Sequence, residues 1–366
     1  MNSKTYFPQL TGLRAIAALL VFVHHFAFAE DKSGPFFFRL QGELYIGVSI
    51  FFVLSGFLIT FRYYDEKISL RQYAINRVAR IYPMCFLLTL FTFIFYYCYP
   101  GFTFAKEAMG NKPGLSLFMN LTFLRGFFDE LKFTGVAQGW TLTVEECFYF
   151  FAPVLFFLLR KRMKLLVILI GLYAIGSVLV MIPKGSNPYG FFSSFQFMFI
   201  VTFFGRCLDF FVGVQLALWF KKRNITTAVN KTYYTFTGSL LLTATILLLM
   251  IPDVNEARYP YGLYTTAGLI INNWVLPFSI GVLFRGLITE RTFISKILST
   301  PVFDILGRSS YTFYLVHMGV ISLLVVPIVK KWVIHLPVML LISIILYKLV
   351  EEPMNKWVRS FGRTKR

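Results

Sequence analysis

Leu44-Tyr-Ile-Gly-Val-Ser-Ile-Phe-Phe-Val-Leu-Ser-Gly-Phe-Leu-Ile-Thr-Phe61 is a run of 18 residues without a charged side chain. A helix that spans a bilayer needs about 20 mostly apolar residues. Its backbone groups are satisfied within the helix, and lipid accepts the apolar exterior.

Outward from this run the pattern recurs. Apolar stretches lie near 12–28, 83–99, 142–159, 163–182, 198–220, 235–251, 268–287, 310–328 and 334–350. The expected fold is all-α, a polytopic membrane protein with about ten transmembrane helices. A weaker apolar island, Leu115 to Leu124, reads as a re-entrant or interfacial element. Composition agrees. Of 366 residues, 57% are hydrophobic, 19% aromatic and 14% charged, against roughly 25% charged and about 45–50% apolar in a soluble domain. No soluble fold of this size can hide 44 Phe and 20 Tyr behind so few charges. There is no internal repeat and no low-complexity tract, so residues 1–366 are expected to form one membrane domain.

The net charge of +19 raises nucleic acid as a partner. That requires a basic face on a soluble domain. Here Lys and Arg fall in short clusters between apolar runs, which is a topology signal instead. With the N-terminus inside, the inner loops hold Arg62, Lys67, Arg71, Arg77 and Arg80, then Arg160, Lys161, Arg162 and Lys164. They continue with Lys221, Lys222, Arg223 and Lys231, then Arg285, Arg291, Lys296 and Arg308. The tail adds Lys356, Arg359, Arg363, Lys365 and Arg366. The outer loops are poorer, with Lys184 in one and Arg258 in another; Lys330–Lys331 is the one discord. Both termini are therefore expected in the cytoplasm. The first apolar run carries Arg14, His24 and His25 and no clear small-residue cleavage site, and reads as a retained helix. The four cysteines, Cys85, Cys98, Cys147 and Cys207, show no metal-ligand spacing, and no metal is expected.

Ionisable residues inside a membrane are costly and mark function by default. Arg14 and His25 are eleven residues apart, about three turns, so they share a face and lie roughly 16 Å apart along the axis. That suits a molecule entering end-on, its charged part at the cytoplasmic mouth and its reactive part deeper. A snorkelling anchor is the plain alternative for Arg14, and packing is the plain reading of His24. Arg77 and Arg80 are one turn apart, just before Pro83 at the expected start of the third span. Two guanidinium forks on one face make a phosphate clamp, although the positive-inside rule alone would also place them there. Glu145 and Glu146 follow Trp140 at the expected start of a helix. They would complement the dipole there, or orient a histidine and neutralise its proton. Arg206 and Asp209 sit one turn apart in an apolar run and are expected to pair. Tyr314 and His317 share a late face, open to site lining or packing. Gly47, Ser49, Ser55 and Gly56 are small residues that let helices approach, and Ser55 is also a candidate for site lining. No Gly-rich phosphate loop or serine triad is visible.

Taken together and in order, these segments resemble the acyltransferase-3 family of integral membrane acyltransferases. Gly12-Leu-Arg14-Ala-Ile-Ala-Ala followed by His25 resembles its first helix, and Phe51-Phe-Val-Leu-Ser-Gly56-Phe its second. Arg77-Val-Ala-Arg80-Ile-Tyr-Pro83 resembles its arginine motif, and Trp140-Thr-Leu-Thr-Val-Glu145-Glu146 its Trp-Ser-Leu-x-Val-Glu block. Gly307 to Tyr311, Tyr314, His317 and Glu352-Pro353 resemble its late segments. Ser49 stands where the family often has Asp, and Thr141 where it often has Ser. Many members carry an added extracytoplasmic esterase-like domain, whereas this chain stops soon after its tenth run. It is expected to be the stand-alone form, and any second transfer step outside would need another protein.

The resemblance implies transfer of an acyl group, usually acetyl, from cytoplasmic acyl-coenzyme A to a hydroxyl of a surface glycan, lipid-linked sugar or small metabolite. The setting it implies is a bacterial cytoplasmic membrane, with lipid around the helices. Arg14, Arg77 and Arg80 would then meet the coenzyme A phosphates. His25 would act as general base, with an acyl-histidine relay open as a variant. Glu145, with Glu146 second, would orient or neutralise it. Trp140, Ser55, Arg206, Asp209, Tyr314 and His317 are candidate lining. The competing class is a transporter or exporter, since intramembrane Arg, Asp and His also mark ion and substrate paths; the repeats common in transporters are missing. A scaffold for a surface-polymer machine is a third class, and would leave these clusters without a common purpose.

Overall fold

The structure, a computed structural model, describes residues 6–26, 34–66, 69–182, 187–223, 229–251, 261–329 and 332–362. Lys67, Lys184, Arg258, Lys330, Lys331, Arg363, Lys365 and Arg366, used above for orientation, lie outside the described residues, as do residues 27–28 of the first run. The principal helices are α1 Pro8–Phe26, α2 Pro35–Gly42, α3 Gly47–Tyr63, α4 Leu70–Cys98, α5 Trp140–Arg160, α6 Leu165–Met181 and α7 Phe203–Lys222. They continue as α8 Tyr233–Leu249, α9 Leu276–Thr289, α10 Pro301–Val316, α11 Val320–Val329, α12 Trp332–Leu346 and α13 Glu352–Ser360. No strand occurs among the described residues beyond two isolated bridges.

Among the described residues, seven helices are long and apolar enough to cross a membrane, and the bent pair α10–α11 makes eight. Two more apolar helices, α6 and α8, have 17 residues each. These ten overlap the ten apolar runs one for one. Two runs differ in detail. The run at 310–328 is broken at His317–Gly319, where α10 and α11 meet at 94°. The run at 83–99 is only the second half of α4, which starts thirteen residues earlier behind the cap Ser69, whose side chain accepts from Gln72 N at 3.2 Å.

Pro83 is thus inside a helix rather than at its start. A proline there has no N–H for the carbonyl four residues back, and at membrane depth no water replaces it. Asn355 Nδ2 donates to that carbonyl, Ala79 O, at 2.9 Å. Pro153 in α5 is treated in the same way: Tyr73 Oη donates to Tyr149 O at 2.9 Å. Side chains stand in for the missing backbone donors, which is how both helices stay continuous.

The chain divides into two compact units, residues 1–66, 163–172 and 205–310, and residues 67–162, 173–204 and 311–366. In the first, small residues set the helix spacing as expected. A Cβ on Gly47 would collide with Ala17 O of α1, and one on Gly56 with Phe210 O of α7. The N-terminus of α8 is capped from a distance by the buried Glu290, which accepts from Tyr234 N and Thr235 N, both at 2.8 Å. In the second unit the island 115–124 forms a short helix, Pro113–Leu121, rather than a span. Nearby, Tyr96, Ala105, Ala108 and Val320 make a small buried cluster.

Candidate functional site

In the first unit, α1 is unbroken from Pro8 to Phe26 and carries both Arg14 and His25. Arg14 is half-buried and His25 exposed on the last turn. His24 packs with a satisfied hydrogen bond, as its sequence reading expects. Its Nδ1 lies 3.2 Å from Gln41 O, and its ring centroid is 4.8 Å from those of His25 and Tyr261.

Arg206 and Asp209 of α7 pair as expected, at 2.8 Å and almost without exposure, 3% and 1%. A second arm of the same guanidinium, Nη2, donates to Ser49 Oγ at 2.6 Å. The hydroxyl at the position where the family often has a carboxylate is thus a ligand of Arg206, and Asp209 supplies the countercharge. Ser55 is half-buried on α3. A further carboxylate was not singled out from the sequence. Glu43, buried just before α3, accepts from Gly262 N at 2.7 Å. Its signal was available, as an ionisable residue at the very edge of the 44–61 run.

The second unit holds Arg77, Arg80, Trp140, Glu145, Glu146, Tyr314 and His317. Arg80 is held by Glu351, Nη1 to Oε1 at 2.6 Å, while the other carboxylate oxygen accepts from Thr312 Oγ1 at 2.5 Å. Glu351 lies in a single π-helical turn, Tyr347–Glu351, the kind of local widening that often marks a functional site. The Arg80 guanidinium also lies over the Tyr311 ring at 5.4 Å. Arg77 lies over the Tyr149 ring at 5.4 Å, and Tyr149 Oη donates to Glu145. Two arginines one turn apart are therefore fixed by two aromatic rings and one buried carboxylate.

Glu145 and Glu146 are not helix-start residues. Helix α5 begins at Trp140 behind a 3-10 turn, Ala137–Gly139, and its first turn carries no acid. The dipole reading of the pair therefore fails. Glu145 is half-buried, and Glu146 is buried with Oε1 lacking a hydrogen-bond partner among the described residues.

The segment before α5 grips the broken helix. Gln138 Nε2 donates to Tyr314 O at 2.7 Å and Leu315 O at 2.8 Å, carbonyls freed where α10 stops. Thr141 Oγ1 and Tyr314 Oη are 3.0 Å apart. His317 is fully buried, with Nδ1 2.7 Å from Tyr314 O, so these two residues do come together. Arg125, 2% exposed and unforeseen, fastens the same segment by donating to Asn120 Oδ1, to Thr134 O and, at 2.8 Å, to Val136 O. Burial pushes its guanidinium down to about 10, which leaves it charged near neutrality.

Among the described residues no group of three or more His, Cys, Asp or Glu could hold a metal ion. Of the candidates, Arg14, His25, Ser55, Arg206 and Asp209 belong to the first unit and the others to the second.

Comparison with known proteins gives one family. A model described as an acyltransferase domain matches residues 7–348. The chain is 28% identical over 96% of its length to "Putative O-acetyltransferase SACOL0978" of Staphylococcus aureus (strain COL). It is 25% identical over 97% of its length to the peptidoglycan O-acetyltransferase OatA of Listeria monocytogenes. It spans 58% and 56% of the lengths of these two relatives. No solved structure matches.

Proposed function

The chain belongs to the acyltransferase-3 family, and from that premise we propose that it is a membrane O-acyltransferase that draws an acyl group, acetyl in the first instance, from cytoplasmic acyl-coenzyme A. The acceptor is a hydroxyl of a cell-envelope glycan or lipid-linked sugar; similarity to the peptidoglycan O-acetyltransferase of Listeria monocytogenes favours peptidoglycan. The protein works as one membrane domain in the bacterial cytoplasmic membrane, with both ends inside, and needs no metal.

The observation that carries the reading is the single rigid helix joining Arg14 to His25. Its rise sets them roughly 16 Å apart on one face, so one end can meet phosphate while the other meets a thioester. Arg77 and Arg80, one turn apart in the second unit, offer rigid forks suited to phosphate. Neutral His25 takes the proton of the acceptor hydroxyl, and the oxygen attacks the thioester carbonyl. The carbon–sulfur bond breaks, and the coenzyme A thiolate leaves with that proton. Glu145, with Glu146 second, keeps the supporting carboxylate role that the family resemblance implies for it.

Two measurements test the proposal together: binding of acetyl-coenzyme A by the purified protein in detergent, and ester-linked acetate on envelope glycans, by mass spectrometry, with and without the gene. The reading expects saturable binding and loss of acetyl mass from one glycan class. Absence of binding, with solute movement that survives loss of His25, would point to a transporter instead.

A further inference from the structure

Gln41, at the end of α2 and 6% exposed, ties off the last turn of α1. Its Nε2 donates to Val23 O at 2.6 Å and to His24 O at 3.2 Å. These are two of the last four carbonyls of the helix, which have no partner within it. The backbone carbonyl of the same residue faces His24 Nδ1 at 3.2 Å. A carbonyl oxygen can only accept, so Nδ1 carries the proton and, in the neutral ring, Nε2 holds the lone pair. The imidazole so fixed stands edge-on to His25, centroids 4.8 Å and planes 65° apart. Tyr261 backs it at 4.8 Å and Tyr45 at 5.9 Å. One residue thus holds the helix end and sets the tautomer and plane of the ring against which His25 lies.

We infer that Gln41 and His24 form a positioning pair for His25, with His24 acting through its Nδ1–H bond and not by carrying a proton to or from substrate. The inference rests on the reading of His25 as general base.

The two readings can be tested apart. Membrane vesicles from cells expressing each variant at matched level, which contain the cell's own acceptor, are supplied with acetyl-coenzyme A. Thiol release gives kcat and KM for the donor, and coenzyme A binding checks folding. Asn at position 24 can present a donor where Nδ1 stood, Gln presents one where Nε2 stood, and Phe keeps only the ring. His24→Asn should stay within about threefold of wild-type kcat. His24→Gln and His24→Phe should each lose about tenfold or more in kcat at unchanged KM, a part of the about 10²–10⁴ that loss of a general base itself costs. Near-normal activity in His24→Phe with a defect in His24→Asn would overturn the positioning role in favour of packing. Equal loss in all three would overturn it in favour of proton transfer by His24 itself. His25→Ala, run alongside, separates the premise: if it is active the base assignment falls, whatever the order of the His24 series.

Discussion

Replacing Arg80 by Ala should do two separable things, because Arg80 is at once the countercharge of Glu351 and a proposed phosphate ligand. Glu351 is 2% exposed and keeps only the Thr312 hydroxyl once its 2.6 Å partner is gone. Removing one partner of a fully buried pair costs about 3–5 kcal/mol. The Arg80 side chain is 22% exposed, so water softens the loss, and about 2 kcal/mol is the expectation, near that of one charged hydrogen bond. Glu351→Gln keeps an oxygen for Arg80 and removes the negative charge, so on its own it should cost less. The double variant Arg80→Ala/Glu351→Gln should be more stable than Arg80→Ala, since no buried carboxylate is stranded. For binding the signs divide. Arg80→Ala should weaken coenzyme A binding, and Arg80→Lys should restore it poorly, because an ammonium lacks the fork. Glu351→Gln should tighten binding by up to about tenfold, because the guanidinium no longer shares its charge with a carboxylate. The assay is apparent Tm and calorimetric coenzyme A affinity for the four variants in nanodiscs. Tm values independent of the Glu351 background would refute the ion-pair account. Unchanged affinity in well-folded Arg80→Ala and Glu351→Gln would refute the phosphate clamp.

Asn355→Ala should lower stability by about 1–3 kcal/mol, because Ala79 O then has no donor at membrane depth. Adding Pro83→Ala should recover most of that, since residue 83 regains its N–H; a thermal melt that shows no recovery would contradict the substitution of side chain for backbone. Cysteines placed near Lys184 or Arg258 should react with an impermeant reagent from outside, and cysteines near Lys222 or Lys365 should not. The reverse labelling would put the arginines on the wrong side for cytoplasmic coenzyme A.

The spans were legible because lipid imposes a one-dimensional rule of length and apolarity: among the described residues the ten runs fall on seven helices long enough to span, one bent pair, and two apolar helices of 17 residues. What composition could not show was continuity. Pro83 reads as a helix start until Asn355, 272 residues away in sequence, supplies the missing donor. The break at His317–Gly319 lies in a run apolar enough on average to read as one span. Site residues followed the same division. Arg14, His25, Arg77 and Arg80 stand out because charge within or beside an apolar run is conspicuous. Glu351, at the very edge of the 334–350 run, carried the same signal as Glu43, but which arginine it holds required the fold. Gln41 did not stand out, because a neutral amide near a helix end carries no signal until its two acceptors are seen. The pair Arg206–Asp209 is legible from spacing and from the cost of an unpaired charge in an apolar run, whereas its third partner, Ser49, required the fold.

The central claim is that His25 moves the proton while the arginines hold the donor, and one comparison tests it most directly. Acetyl transfer and coenzyme A binding are measured side by side for wild type and His25→Ala, at equal expression and equal Tm. Loss of a general base typically costs about 10²–10⁴ in rate. The account therefore predicts that transfer falls to the detection limit while affinity for coenzyme A stays within about twofold of wild type. Transfer that continues at a wild-type rate without His25 would contradict it.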